Sequence, residues 1–209
     1  DGELASFVVP ARAPGLRIVP AATLDLTRRF PTVELEGVEV DAEALVGPAG
    51  GGAAGAPPVP PAGGAAVAYA LDLGAVLVAA DAVGAAEALL EMTVAYALDR
   101  VAFERPIGSY QAVKHICADM LLRVEASRAA VRWAALALGA AAPERARAVA
   151  ASYAAEATAA VAGDALQIHG GIGFTWEHDL HLFLRRIKAD EALFGAAPLH
   201  RERLAAMVL

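Results

Sequence analysis

Cysteine is all but missing from this 209-residue chain: Cys117 stands alone, which excludes a disulfide framework and a zinc site built on paired cysteines. Basic residues are scarce as well. Seventeen Lys and Arg against 24 Asp and Glu leave a net charge of −7, the opposite of the basic stripe that nucleic acid demands. The most apolar stretch, 65–90, is interrupted by Asp72, Asp81 and Glu87, so a membrane-spanning helix is not expected. The opening "DGELASFVVP" has neither an initiator Met nor a basic segment ahead of an apolar run; it reads as the start of a trimmed fragment rather than a signal peptide. A reducing cytoplasm is the expected compartment.

What abounds is alanine. Hydrophobic residues make up 57% of the chain and charged residues 20%, with a mean hydropathy of +0.48. That is more apolar surface than a small monomer hides, so part of it is expected to be buried in an assembly.

Along the chain the pattern changes twice. Residues 1–47 hold short extended runs, "SFVVP", "LRIVP" and "TVELEGVEV", the last alternating with the period of a half-buried strand. Residues 48–64 are Gly, Pro and Ala with little else, a linker or long loop. A phosphate-cradling role is not expected there, because no Gly-Lys-Ser/Thr follows and the prolines remove backbone N–H groups. From 65 to 209 apolar positions recur at three and four, through 66–99, 109–138 and 144–169, with shorter helical stretches at 176–187 and 189–207. The spacing predicts a mainly α chain, an antiparallel four-helix bundle preceded by a partial β-domain. Strands without partners lead us to expect the rest of their sheet upstream of Asp1.

Few motifs carry chemistry. His178 and His181 sit three apart in "EHDLH", but no Glu-x-x-His occurs, and no metal site is expected. Ser109, Ser127 and Ser152 lack a Gly-x-Ser-x-Gly elbow. Arg185, Arg186 and Lys188 form a short basic run, read as a solvated helix face that could also meet a phosphate. More telling is "DRVAFERPIGSYQ", 99–111, which sets Arg100 and Arg105 around Phe103 at a helix end with Gln111 opening the next helix. Arginine forks suit phosphate oxygens and an aromatic ring suits a flat heterocycle. Then come Gly170, Gly171 and Gly173 in "LQIHGGIGFTWEHD", three glycines in a helical neighbourhood where each costs about 1 kcal/mol against alanine.

Together, "ALDRVAFERPIGSYQAVKHICADM" (97–120) and "LQIHGGIGFTWEHDLHLFLRR" (166–186) resemble the acyl-CoA dehydrogenase family. The resemblance extends to "TLDLTRRFPTVELEGVEVDAEALVG" (23–47), similar to the end of that family's middle β-domain, and to the helices after 65, similar to its C-terminal bundle. It implies a FAD-dependent oxidoreductase of fatty acid metabolism that introduces an α,β double bond into an acyl-CoA thioester and passes electrons to a separate acceptor. It also implies a dimer or dimer of dimers, homo- or hetero-oligomeric, in which one chain's C-terminal domain completes its neighbour's FAD site. By the resemblance, Arg100, Phe103 and Gln111 match the contacts to the neighbour's FAD. Gln167, Gly170 and Gly171 match the Gln-x-x-Gly-Gly element, whose bare backbone would press against the dinucleotide. Asp72 matches a substrate-side residue.

Other matches fail. The family's catalytic carboxylate occupies one of two positions, which here hold Phe194 and Gly74; Ala75 replaces the CoA-contacting Arg, and Ala196-Ala197-Pro198 replaces the Thr-Ser-Gln that touches the chain's own FAD. Neither Phe nor Gly takes a proton, so no catalytic residue is assigned. The pattern resembles a subunit of the heteromeric actinobacterial type, lending FAD contacts to a catalytic partner. Two alternatives stay open: an active enzyme with its base relocated to Glu191 or Asp190, and a flavin-free structural bundle.

Overall fold

The computed structural model describes residues 6–45, 64–139 and 143–209. The linker assigned to 48–64 lies outside them, save for Gly64. Two compact units result, one of residues up to Thr23 with Arg28–Leu73, the other of Leu24–Thr27 with Gly74–Leu209.

In the first unit β1 (Leu16–Val19) pairs antiparallel with β2 (Thr32–Leu35), Leu16 opposite Leu35. The expected strand through "TVELEGVEV" is shorter than its alternation suggested. After Leu35 one further cross-strand bond forms, Glu36 N–H to the Gly15 carbonyl, and then Gly37 turns the chain at φ +60°, a conformation that glycine adopts without a Cβ penalty. "SFVVP" forms only an isolated bridge, Phe7 to Leu45.

The helices are α1 (Gly64–Asp99), α2 (Gln111–Leu136), α3 (Glu144–His169), α4 (Leu180–Asp190) and α5 (Ala197–Val208). The three long ones fall where periodicity placed them. The two short ones are displaced. His178 accepts the Leu180 N–H at its Nδ1, 3.1 Å, which sets the start of α4. The stretch 189–207 is broken by a turn at Phe194 (φ 56°) and Gly195 (φ 106°), where no α-helix can continue.

Alanine explains how the bundle packs. Ala86, Ala134, Ala150, Ala154, Ala162 and Ala165 are fully buried, so α1, α2 and α3 approach closely along small side chains. Leu89, Met120, Val124, Val161, Leu180 and Ile187 fill the main core at 1% exposure or less. Helix α1 is long and apolar enough to cross a membrane by length and composition, with half of that window buried. Two of its carboxylates are nonetheless paired within the bundle: Glu87 with Arg128 of α2 at 2.6 Å and Asp81 with Arg186 of α4 at 2.7 Å. These pairs mark it as a bundle helix. Apolar surface remains outside, most plainly on α2, where Leu122, Trp133 and Leu136 are exposed at 66%, 47% and 85%.

Candidate functional site

The end of α1 leads into a hairpin so tight that two residues make its loop. Val101–Ala102 (β3) pair with Arg105–Pro106 (β4), and the loop residues Phe103 and Glu104 both take positive φ, 52° and 65°. Such a loop suits Asn-Gly; an L-residue there costs about 1–2 kcal/mol. Nothing among the described residues compensates by burying Phe103, which is 91% exposed. Strain held in an exposed aromatic is a mark of function rather than of packing. The hairpin is braced from behind: the Tyr110 hydroxyl donates to the Ala102 carbonyl at 3.2 Å, and the Arg105 guanidinium lies 3.9 Å over the Tyr110 ring. Gly108 passes so near α1 that a Cβ would stand 2.9 Å from the Ala97 carbonyl oxygen. Arg100 and Gln111, on either side of the hairpin, are exposed.

The glycine turn follows α3 on the same side of the core. Tyr96, near the end of α1, stacks on His169 with ring centroids 4.5 Å apart and donates its hydroxyl to the His169 carbonyl at 3.4 Å. Gly170 has φ +59°, so its glycine is a backbone requirement. Gly173 is a packing requirement, since a Cβ there would meet Leu166 Cδ1 at 3.1 Å and His169 Cβ at 3.2 Å. Gly171 is neither. Its φ is not left-handed, and a Cβ would meet nothing within 4 Å. Exposed Gln167 lies one helical turn before it, and Phe174 and Trp176 stand out at 75% and 67% exposure. The turn thus presents an exposed backbone at Gly171, open to an approaching group, with Gln167 and an outward aromatic near it in sequence.

A second locus lies between α1 and the turn ahead of α5. The Phe194 ring covers Gly74 so closely that a Cβ on Gly74 would stand 2.5 Å from Phe194 Cε1 and 2.7 Å from Cδ1 and Cζ. The two positions, 120 residues apart, therefore face each other and share one space. Gly195 is obligatory, with φ 106° and a virtual Cβ 2.9 Å from Leu199 Cδ2 and 3.1 Å from His200 Nε2. The strained turn presents the Phe194 ring toward α1. Asp72 is half-buried on α1.

The two carboxylates considered as substitutes sit in different surroundings. Glu191 receives a hydrogen bond from Lys188 Nζ at 2.7 Å. Asp190 is 5% exposed and lines, with Thr158 and the buried His200, a cavity of about 20 Å³, room for about one water molecule. A larger groove of about 490 Å³ opens between α1 and α4, where Arg186 holds Asp81 through Nε and Nη2 at 2.7 and 2.8 Å and reaches Thr27 Oγ1 at 2.6 Å. The basic run is thus no free phosphate site: Arg186 is clamped and Arg185 lies 4.6 Å over Trp176. His178 caps α4 and His181 packs edge-on against Trp176 at 4.8 Å. Sequence reasoning passed over Tyr96, His169 and His200, since isolated aromatic and histidine positions carry no spacing signal.

Comparison with known proteins gives the family. The model of the acyl-CoA dehydrogenase C-terminal domain matches residues 62–209. Acyl-CoA dehydrogenase IpdE2 of Mycobacterium tuberculosis is 39% identical over 199 residues, 92% of this chain and 54% of that protein. The ChsE4-ChsE5 complex from Mycobacterium tuberculosis superimposes with a TM-score of 0.85 at 30% identity, over 98% of this chain and 52% of that one. Butyryl-CoA dehydrogenase from Megasphaera elsdenii gives 0.86 at 26% identity, over 98% and 51%. The chain spans about half the length of the curated relatives it matches.

Proposed function

The chain belongs to the acyl-CoA dehydrogenase family, and from that premise we propose that it serves as the non-catalytic member of a heteromeric enzyme, completing the FAD site of a catalytic partner. The observation that carries this reading is the mutual contact of Gly74 and Phe194. Both positions from which the family draws its base converge here, and neither can accept a proton; a positioned base is worth about 10²–10⁴-fold in rate. The phenyl ring moreover occupies the space a carboxylate would need.

What the chain retains is a face for someone else's cofactor. Arg100 supplies a guanidinium for phosphate oxygens, Gln111 and Gln167 supply amide donors, and Gly170 and Gly171 let the backbone approach without side-chain obstruction. Phe103 offers a ring at the tip of its strained hairpin. When bound, FAD would supply hydride-accepting chemistry beside the partner's acyl thioester. The residues here would hold and shield that group. Exposed Leu122, Trp133 and Leu136 on α2 supply apolar area for assembly, and the similarity to one chain of the ChsE4-ChsE5 complex supports a heteromer.

An active enzyme with a relocated base is less well supported, because Glu191 is ion-paired and Asp190 faces a cavity too small for an acyl chain. A flavin-free structural protein would leave the strain at Phe103 without a purpose. The test is FAD retention by the complex of this chain with its catalytic partner. Arg100→Ala should weaken retention about tenfold or more, since a charge-assisted hydrogen bond contributes about 1.5–3 kcal/mol. Retention unchanged from wild type would refute the reading.

A further inference from the structure

The glycine turn is bracketed by two histidines, and their bonding differs. His169 is 3% exposed. Its Nδ1 lies 2.8 Å from the Ala165 carbonyl, so the neutral ring carries its proton there, and among the described residues Nε2 meets no hydrogen-bond partner. Tyr96 covers one face of the ring, and His178 stands edge-on at 4.7 Å. A second proton on His169 would place an unpartnered N–H and a charge in a closed space, which is costly.

We propose that His169 is the positioning residue of the Gly170–Phe174 turn, and that its imidazole holds the turn closed only while neutral. The inference rests on the reading of Gly170 and Gly171 as a dinucleotide contact. The groups facing His169 are Tyr96 from α1, the Ala165 carbonyl of its own helix, and His178 from the loop before α4; from α2, Cys117 packs at the edge of the same core. Burial pushes the Cys117 thiol up and so keeps it neutral. His178 is thus the one facing group that adds an opposing charge. Burial holds the His169 pKa below the ordinary 6.5 against the opposing hydrogen bond to the Ala165 carbonyl, and the His178 charge adds to the lowering.

The sign follows. A histidine whose pKa is lowered in the closed state stabilises that state fully above 6.5, and the stabilisation is lost as pH falls toward the lowered value. Within that window the open population grows about tenfold per pH unit.

Hydrogen–deuterium exchange over residues 166–179, measured across pH on the complex with its partner and corrected for intrinsic chemistry, reads this directly. Protection should be flat above 6.5 and fall about tenfold per unit below it. His169→Phe keeps the stack on Tyr96 and removes the titration, so its profile should be flat. His178→Gln still accepts the Leu180 N–H but removes the opposing charge, so the fall should level off at a higher pH with a smaller total loss. Should His169→Phe fail to fold, His178→Gln alone decides. A fall that survives His169→Phe, or a His178→Gln profile superimposable on wild type, overturns the proposal. Gly171→Ala separates the underlying reading: it should leave the exchange profile intact and loosen FAD, and tight FAD with an intact profile would sink the dinucleotide contact while leaving the histidine lock standing.

Discussion

Gly74→Ala should destabilise this chain, although alanine is the better helix former by about 0.8–1.0 kcal/mol and position 74 lies inside α1. The added Cβ would stand 2.5–2.7 Å from three atoms of the Phe194 ring, well inside contact distance, so the ring must move. Overpacking of this kind costs about 1–3 kcal/mol. The lower half of that range applies, because Phe194 is 41% exposed and can swing outward. In a Phe194→Ala background the obstacle is gone and only the helix propensity remains, so the same substitution should stabilise by up to about 1 kcal/mol. The sign reversal gives a coupling of about 2 kcal/mol between residues 120 apart in sequence. Urea or thermal unfolding of the four proteins in the cycle measures it; for a chain of this size 1 kcal/mol moves Tm by about 2–4 °C. Equal effects of Gly74→Ala in both backgrounds would refute the claim that Phe194 fills the space over Gly74.

Three further outcomes are expected. Gly171→Ala should leave unfolding stability within about 0.5 kcal/mol of wild type, as its Cβ meets nothing in the chain, while lowering FAD retention by the complex in equilibrium dialysis. Phe103→Gly should move the two in opposite directions, stabilising the fold by about 1 kcal/mol through relief of its positive φ and weakening FAD retention through loss of the ring. Arg186→Met should cost about 1–2 kcal/mol, discounted because the Arg186 and Asp81 side chains are 27% and 31% exposed, and should expose the Leu24–Thr27 segment to limited proteolysis.

Local signals explain which parts of this account were legible beforehand. The periodicity of α1, α2 and α3 is sustained over many turns of good helix formers, so their extents followed from the pattern. The stop between α4 and α5 did not, since Leu193 and Phe194 suit a helix and only the tertiary demands of Gly195, Leu199 and His200 force the chain to turn there. The basic run Arg185–Arg186 looked solvated because its partners, Trp176 and Asp81, come from elsewhere in the fold. Gly170, Gly171 and Gly173 formed one visible cluster in sequence, yet they answer three separate requirements: a backbone angle, an open face and a packed one. That Phe194 and Gly74 stand where the resemblance expects a carboxylate was legible in the sequence; that one fills the space over the other was not.

By the proposed function, this chain completes a site it cannot run. The most direct test is the visible absorption spectrum of the complex with its partner during anaerobic titration with acyl-CoA thioesters, with the partner's own base position changed to Gln. The flavin should stay oxidised throughout. Bleaching at a rate near that of the unaltered complex would mean that a base resides in this chain after all, and would contradict the account.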